Sequence, residues 1–180
     1  MKTFIINGST NPSGDTAALL DAYLSAYDGE VRVISRKNGI TPCLDCRRCK
    51  SLAGCAIEDE MTAALGYIAE CDCVVIASPV WFGSLSGPTL DIASRLQTLF
   101  AARRFRGETP TAKPKRGVLL LACGGSGGDE GAVRAAKMIF SCVGVDPARI
   151  SIVRSESTDI TPAQLDEAAL AAARAAATAK

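Results

Sequence analysis

Apolar runs of strand length alternate with segments of helical spacing along this chain, and no other feature of the sequence constrains the fold as much. The apolar runs lie at Thr3 to Asn7, Val31 to Ile34, Cys73 to Ser78, Val118 to Ala122 and Ile150 to Val153. The intervening helices are predicted at Thr16 to Tyr27, Met61 to Glu70, Pro88 to Arg104, Glu130 to Val143 and Pro162 to Thr178. This alternation predicts an α/β fold whose parallel sheet is covered by helices on both faces.

The last predicted helix has the clearest start signal. Thr161 is the expected N-cap, Pro162 occupies the first helical position, and Gln164 is placed to complete a capping box. The sequence contains no linker and no repeat, so we expect one domain over residues 1–180. The longest stretch without a predicted element, residues 37–59, is expected to be a functional cysteine-rich loop insertion.

Composition excludes several classes of function. The chain has 20 basic and 19 acidic residues, and this balance argues against a nucleic-acid surface. It has no histidine, which removes Ser-His and Cys-His catalysis. The first apolar run is too short for a signal peptide, and no run approaches the ~18 residues of a membrane span. We therefore expect a cytoplasmic protein without a membrane partner, in which eight cysteines act as metal ligands, redox groups or core residues.

The loop after the first predicted strand, residues 8–16, is rich in small and hydroxyl-bearing residues. Together with the free N–H groups of the following helix, it can form a phosphate cradle. It can equally be a simple turn in which Asp15 or Thr16 caps the helix. No Gly-Lys dipeptide occurs, which excludes a Walker-type loop, and the glycine cluster at 124–131 lacks the GxGxxG spacing of a dinucleotide-binding domain.

The loop after the third predicted strand carries two adjacent aromatic residues. Trp81, the single tryptophan of the chain, stands beside Phe82 in the segment Ser-Pro-Val-Trp-Phe-Gly-Ser. An aromatic pair in this place can border a planar ring system. The alternative interpretation is that the two side chains close the end of the core.

Four cysteines crowd into the long loop. Cys43, Cys46, Cys49 and Cys55 form a C-x2-C-x2-C-x5-C array. This spacing suits a [4Fe-4S] cluster and can also hold zinc, or the thiols can be free of metal. The neighbouring bases are expected either to lower the pKa of these thiols or to form a solvated face; they are Arg47, Arg48 and Lys50. The other cysteines are expected to be small core residues; they are Cys71, Cys73, Cys123 and Cys142.

The order of these motifs resembles the flavodoxin-like NAD(P)H-dependent FMN reductase family, which includes the iron-sulfur flavoproteins. The segments that carry the resemblance are Ile-Asn-Gly-Ser with a downstream Gly-x-Thr, the Pro-Cys array, Asp59-Glu60-Met61, and Ser-Pro-Val-Trp-Phe-Gly-Ser-Leu-Ser-Gly. The resemblance covers most of the chain. It implies a doubly wound five-stranded sheet in the order 2-1-3-4-5 and a noncovalently bound FMN, often at a homodimer interface.

The resemblance also implies which residues bind cofactors. The implied phosphate loop consists of Ser9, Thr10, Asn11, Gly14, Asp15 and Thr16. The implied loop along the ribityl chain and isoalloxazine consists of Pro79, Val80, Trp81, Phe82 and Gly83, and the implied contacts at the pyrimidine end are Gly124 and Gly125. The candidate ligands of a [4Fe-4S] cluster are Cys43, Cys46, Cys49 and Cys55.

The sequence departs from the family pattern at two points. The phosphate loop usually carries an arginine where Asn11 or its neighbour stands, and an asparagine where this chain has Asp15, whose carboxylate would repel a phosphate unless it turns away. The Asp-Arg pair common after the aromatic loop is Ser94-Arg95 here, so the usual salt bridge lacks its aspartate.

These observations favour an FMN-dependent oxidoreductase with NAD(P)H as co-substrate and no catalytic side chain, since the chemistry takes place on the flavin. The expected acceptors are a quinone, a flavin, a nitro compound or an electron-carrier protein. If a cluster is present, Arg47 and Arg48 are expected to dock an acidic electron donor. The expected assembly is a homodimer or homotetramer. One alternative is an iron-sulfur flavoprotein that only transfers electrons. Another is a thiol or metal redox sensor on a flavodoxin scaffold.

Overall fold

A computed structural model describes residues 1–111 and 113–179. Parallel strands form one sheet in the order β2-β1-β3-β5-β6, and β4 pairs antiparallel with the end of β3. The strands are β1 (Lys2–Asn7), β2 (Glu30–Ser35), β3 (Cys73–Trp81), β4 (Ser84–Leu85), β5 (Lys115–Ala122) and β6 (Val145–Ser155). The predicted order of the five parallel strands is confirmed, because the short β4 is an addition at the tip of β3.

Helices cover both faces of the sheet. They are α1 (Asp15–Ala26), α2 (Glu60–Glu70), α3 (Gly87–Ser94), α4 (Gln97–Arg106), α5 (Glu130–Cys142) and α6 (Glu167–Thr178). Helices α1 and α6 form one core with alternate strand residues such as Ile5, and α2 to α5 form the other core with residues such as Phe4 and Ile6. Among the described residues, no helix combines the length and the apolar character that a membrane crossing demands.

The prediction of one helix over Pro88 to Arg104 is wrong, because the chain forms α3 and α4 with a break at Arg95 and Leu96. Around the break the N–H groups of Arg95 and Leu96 bond three residues back, to Ile92 and Ala93. Both residues keep helical φ and ψ, so the turn tightens without leaving the helical region. Neither glycine nor proline marks the position; the break accompanies the inward turn of the Arg95 side chain, which is 2% exposed.

The predicted start of the last helix is also wrong. Pro162 is extended and precedes a short 3-10 turn at Ala163–Leu165, and α6 begins only at Glu167. Asp166 is the N-cap instead: one carboxylate oxygen accepts the N–H of Ala169 at 3.0 Å, and the other accepts the hydroxyl of Ser155 at 2.9 Å. The cap is therefore fixed by a contact with β6 as well as by local sequence.

We expect Asp166→Ala to lower the free energy of unfolding by about 1 kcal/mol, because the N–H of Ala169 in the first turn of α6 and the hydroxyl of Ser155 lose their acceptor. Thr161→Ala is the matched control and should change the free energy by less than about 0.5 kcal/mol, since Thr161 is exposed. Denaturant unfolding monitored by circular dichroism measures both values. Equal effects of the two substitutions would contradict the assignment of the cap.

Candidate functional site

The carboxyl ends of β1, β3 and β5 meet at one edge of the sheet, and the loops that follow them face one another there. The chain leaves β1 toward β2 on one side, whereas β3 is followed in the sheet by β5 on the other side. The edge above β1 and β3 is thus the point where strand order reverses, which is where open α/β sheets bind ligands.

Buried hydroxyl groups hold the first two loops together. Ser86 donates its hydroxyl to the carbonyl of Gly8 at 3.0 Å and donates its N–H to the hydroxyl of Ser78 at 3.0 Å. Thr89 donates its own hydroxyl to Ser78 at 3.0 Å. Gly8 has no room for a side chain, because a Cβ there would lie 1.7 Å from Oγ1 of Thr89. These buried hydrogen bonds therefore fix the position of the loop after β1 relative to the loop after β3.

The loop after β1 borders a cavity of about 510 Å³. Its lining includes three predicted phosphate ligands, Ser9, Thr10 and Asn11, together with Arg36 and Lys37 from the turn after β2. The side-chain oxygen of Asn11 accepts the N–H of Ser13 at 3.0 Å, and this bond closes the loop over itself. The cavity thus combines hydroxyl groups with two cations and one carboxylate, that of Asp21 on α1.

The other predicted phosphate ligands have different positions. Asp15 turns away from the loop, and its carboxylate accepts the N–H of Ala163 at 2.8 Å. Thr16 is buried. The N-cap residue of α1 is Gly14, and within the described residues no side chain bonds the first N–H groups of this helix. The alternative of Asp15 or Thr16 as the N-cap is therefore wrong, and the positive end of the helix is open to an anion.

The aromatic loop is the turn of a hairpin between β3 and β4. Trp81 pairs with Ser84 across this turn, and both central residues have positive φ, 52° at Phe82 and 71° at Gly83. These angles define a type I′ turn, which strains a phenylalanine. Trp81 is 44% exposed and Phe82 is fully exposed. The alternative in which the two aromatic side chains close the core is wrong.

The glycine-rich segment after β5 packs against the aromatic loop. The carbonyl of Gly83 accepts the N–H of Ala132 at 2.9 Å, and a Cβ on Gly131 would lie 2.5 Å from that carbonyl oxygen. Gly124 and Gly125 face open space, since no atom lies within 4 Å of a Cβ placed on either. Three loops thus frame one open cleft with a backbone wall on the β5 side.

The four cysteines of the array line a second cavity, of about 270 Å³, between the long loop and α4. Arg95, Phe100 and Phe105 complete its wall. Within the described residues, thiols and carboxylates form no group of three or more that is placed to hold a single metal ion. A tetrahedral ion needs all its sulfurs within about 2.3 Å of one point, whereas an iron-sulfur cluster spreads its thiolates around a larger body. Four thiols that line one cavity are a donor set that fits an iron-sulfur cluster.

The prediction that neighbouring bases lower the thiol pKa is wrong for Cys49. Burial raises the pKa of this thiol, and the charges of the other three cysteines raise it further. The bases are directed elsewhere: Arg47 pairs with Asp45 at 3.1 Å, Arg48 donates to the carbonyl of Cys55 at 3.3 Å, and Lys50 lies 4.8 Å from the ring centre of Phe105.

Arg95 fastens the cysteine loop to the helices. Its guanidinium donates to the carboxylate of Asp59 at 2.5 Å, the carbonyls of Thr41 and Ile57 at 2.8 and 3.1 Å, and the hydroxyl of Thr62 at 2.8 Å. Asp59 thus supplies the carboxylate missing from the Ser94-Arg95 pair. Burial tends to raise the pKa of Asp59, but hydrogen bonds from Arg95 and from the N–H of Thr62 hold it below its usual range.

The backbone of the cysteine loop is strained next to Cys46. Asp45 and Arg47, on either side of Cys46, have φ values of 48° and 60°, and Gly54 before Cys55 has a φ of 83°. Residues other than glycine rarely adopt such angles, and they cluster where a loop is shaped for a ligand. The remaining cysteines lie in or beside the core as expected; burial raises the pKa of Cys71 and of Cys123 to about 11.

Comparison with known proteins assigns the family. A family model described as NADPH-dependent FMN reductase matches residues 1–156. This chain belongs to the NADPH-dependent FMN reductase family. It is accordingly an oxidoreductase of the flavodoxin-like fold.

The relatives agree with this assignment. An iron-sulfur flavoprotein of Methanocaldococcus jannaschii is 32% identical over 147 residues, 78% of this chain and 71% of the relative. An iron-sulfur flavoprotein of Archaeoglobus fulgidus is 27% identical over 157 residues, 84% of this chain and 68% of the relative. Among solved structures, an NAD(P)H:quinone oxidoreductase from Methanothermobacter marburgensis has a TM-score of 0.76 at 16% identity, covering 98% of this chain and 94% of that one.

The site fits the FMN of this family on two observations. The uncapped start of α1 offers free N–H groups to a phosphate, and the open side of Gly124 and Gly125 lets a flat ring approach the backbone. Sequence reasoning missed Arg36 and Lys37, although two consecutive bases directly after a predicted strand, at the carboxyl edge, are a usable signal. It also missed Asp59 as the partner of Arg95, for which no local signal exists.

We expect Phe82→Asn to raise the free energy of unfolding by about 1 kcal/mol, because asparagine tolerates positive φ and Asn-Gly is a favoured type I′ turn. The substitution removes no buried surface, since Phe82 is fully exposed. Thermal unfolding without flavin measures the effect. Val80→Asn in the adjoining strand β3 is the control and should destabilise, because Val80 is half-buried and pairs with Leu85. A loss of stability in Phe82→Asn would contradict the strain.

Proposed function

We propose that this protein binds FMN in the cleft at the carboxyl edge of the sheet and transfers electrons from NADH or NADPH to a quinone, a flavin, a nitro compound or a carrier protein. The observation that carries the proposal is the meeting of three loops at the strand-order reversal, one with an open helix N-terminus, one with exposed aromatic rings and one with bare backbone. Membership of the family supports it.

Bound FMN supplies the redox chemistry, because it accepts two electrons from a nicotinamide and releases them singly or in pairs. The protein binds and orients. The N–H groups at the start of α1 and the hydroxyl of Thr10 hold the phosphate, and Trp81 and Phe82 border the ring. The hydroxyl of Ser9 donates to the carbonyl of Asn11 at 2.8 Å and shapes the loop. The buried hydroxyls of Ser78 and Ser86 keep the two loops at a fixed separation.

We further propose that Arg36 and Lys37 supply the positive charge that the phosphate loop lacks. They share one cavity with Ser9, Thr10 and Asn11, and β2 lies directly beside β1 in the sheet. Cations near a phosphate dianion contribute charge-assisted attraction without entering the loop itself. Asp15 does not oppose this, because its carboxylate is bonded to the N–H of Ala163.

The single tryptophan makes flavin binding directly measurable. We expect FMN to quench the fluorescence of Trp81 in a saturable titration, because the ring is bordered by this side chain. Riboflavin, which lacks the phosphate, should bind at least tenfold more weakly. Arg36→Gln and Lys37→Gln should weaken FMN but leave riboflavin unchanged.

The matched control is Lys137→Gln, a cation on α5 that lines a different cavity. It should leave both affinities unchanged. Fluorescence that does not respond to excess FMN, combined with no heat in calorimetry, would contradict the proposed flavin site.

Reduction by a nicotinamide separates a reductase from a pure electron carrier. The near-neutral net charge of +1 favours the reductase, since carriers of this fold are usually acidic. We expect NADPH or NADH to bleach the absorbance of the FMN-loaded protein within seconds under anaerobic stopped flow. A protein that stays oxidised with both nicotinamides, yet is reduced by dithionite, is an electron-transfer protein instead.

We propose in addition that Cys43, Cys46, Cys49 and Cys55 hold one [4Fe-4S] cluster. The four cysteines line one cavity and lie within thirteen consecutive positions of one loop. The names of the relatives, iron-sulfur flavoproteins, support the proposal. The eight free cysteines are compatible with a reducing compartment, and we propose the cytoplasm.

Replacement of single cysteines tests the cluster. We expect anaerobically reconstituted protein to contain about four irons and four sulfides per chain, and Cys46→Ser and Cys55→Ser each to lose most of this iron. Cys142→Ser is the matched control, because Cys142 is partly exposed but lies outside the array, with its sulfur donating to the carbonyl of Leu96 at 3.5 Å. Equal iron contents in all these proteins would contradict the assignment.

The surroundings of the second cavity suit a protein partner. Phe100 and Phe105 are half-exposed and line it together with the bases Arg47 and Lys50, and Arg48 follows Arg47 in the chain. We propose that an acidic electron carrier docks here, since complementary charge accelerates association. The apolar groove that continues from Phe100 toward Met138 on α5 supports the proposal that two copies of the chain associate.

A further inference from the structure

The guanidinium of Arg95 is buried, and one of its hydrogen-bond donors is left over. A guanidinium has five N–H groups. Four of them are directed to Asp59, Thr41, Ile57 and Thr62, all from the cysteine loop and the start of α2. Within residues 1–111 and 113–179, the remaining donor, Nε, is buried and has no partner.

The unpaired donor belongs to a side chain that forms the wall of the cysteine cavity. Arg95 lines this cavity together with Cys55, so the guanidinium and the thiol border the same space. A neutral thiol is a weak acceptor, whereas a thiolate bound to a cluster is a strong one. Nε itself has almost no accessible surface, so it is shielded from bulk water.

We propose that Arg95 donates its remaining N–H to the sulfur of Cys55 when the cluster is bound, and thereby raises the reduction potential of that cluster. The inference rests on the proposed function, because it needs a cluster at the four cysteines. Addition of one electron makes the cluster and its thiolates more negative by one charge. A buried cation and an N–H···S bond stabilise the more negative state, so reduction becomes easier.

The other bases near the array are placed differently. Arg47 is two-thirds exposed and paired with Asp45, so solvent and its partner screen its charge. Arg48 donates to the backbone carbonyl of Cys55, not to its sulfur. Arg95 is the buried cation among those that line the cavity. A side chain that only held the loop in place would need no more than the four hydrogen bonds already made. The Nε–H of Arg95 would then have no function.

Measured reduction potentials of reconstituted variants test the proposal. Arg95→Lys keeps a positive charge but loses Nε, and we expect the ratio of reduced to oxidised cluster at fixed ambient potential to fall at least tenfold, which is about 59 mV for a one-electron couple. Asp59→Asn loosens the same clamp but removes a negative charge, so its potential should stay equal or rise. Arg47→Gln should stay within twofold of the unsubstituted protein.

The signs of the potential shifts in Arg95→Lys and Asp59→Asn distinguish a structural role of Arg95 from a role in raising the reduction potential. A merely structural role would move Arg95→Lys and Asp59→Asn in the same direction, because both weaken the attachment of the loop. Equal shifts of this kind, or no shift in Arg95→Lys with full iron content, would overturn the proposal and leave the cluster assignment intact. Absence of iron from the unsubstituted reconstituted protein overturns both.

A spectroscopic measurement needs no variant that disturbs the loop. Protein labelled with ¹⁵N at the Nε of arginine should show a ¹⁵N coupling to the reduced cluster in pulsed electron paramagnetic resonance. The coupling should persist in Arg47→Gln, whose lost arginine is the exposed one. This measurement decides the question even where Arg95→Lys fails to retain its iron: absence of any ¹⁵N coupling in a protein with a full cluster refutes the bond to Cys55.

Discussion

The buried charge of Arg95 is the constraint on which the cysteine loop depends. Moving a guanidinium out of water costs on the order of several kcal/mol unless its donors are paired. The loop supplies that pairing with a carboxylate, two backbone carbonyls and a hydroxyl, from Thr41, Ile57, Asp59 and Thr62. Because these groups come from both ends of the long insertion, one side chain draws the ends together, and the cysteines between them are held against α4. A loop of this length would otherwise carry a large conformational entropy.

The proposed flavin cleft likewise depends on buried polar groups that are fully hydrogen-bonded. Ser78, Ser86 and Thr89 exchange hydrogen bonds among themselves and with the carbonyl of Gly8. Each hydroxyl would be costly to bury alone, at about 1–3 kcal/mol, but together they satisfy one another. The network forces a glycine at position 8 and leaves the upper surface of the loops free. The exposed rings and the uncapped helix end can therefore serve a ligand, since they have no task in the packing.

Sequence reasoning succeeds where the signal is periodic or local and fails where it is tertiary. The buried runs and their spacing are sufficient to predict a parallel sheet and the edge at which its loops meet, whereas the strand order follows from the family resemblance. The break before Leu96 carries no glycine or proline, and its cause is the contact of Arg95 with Asp59, which lies 36 residues away. The cap of α6 likewise depends on Ser155 from another element, whereas the local pattern at Pro162 indicates an earlier start. The turn at Phe82 could not be predicted from turn propensities, because phenylalanine is disfavoured at positive φ. A function of the exposed ring would explain why it stands there.

The helix α3 joins the two sites. Its first turn is capped by Ser86, whose hydroxyl also reaches Gly8 below the flavin cleft, and its last residue, Ser94, accepts the N–H of Cys43 at 2.9 Å in the cysteine loop. Eight helical residues span about 12 Å, and buried or tertiary bonds fix both ends. The separation of the two sites is therefore set by a rigid element, while the strained turns at their mouths can adapt to ligands without altering it. In the proposed function this matters, because electrons that pass repeatedly between two cofactors require a constant distance, and a short helix provides that constancy where a loop cannot.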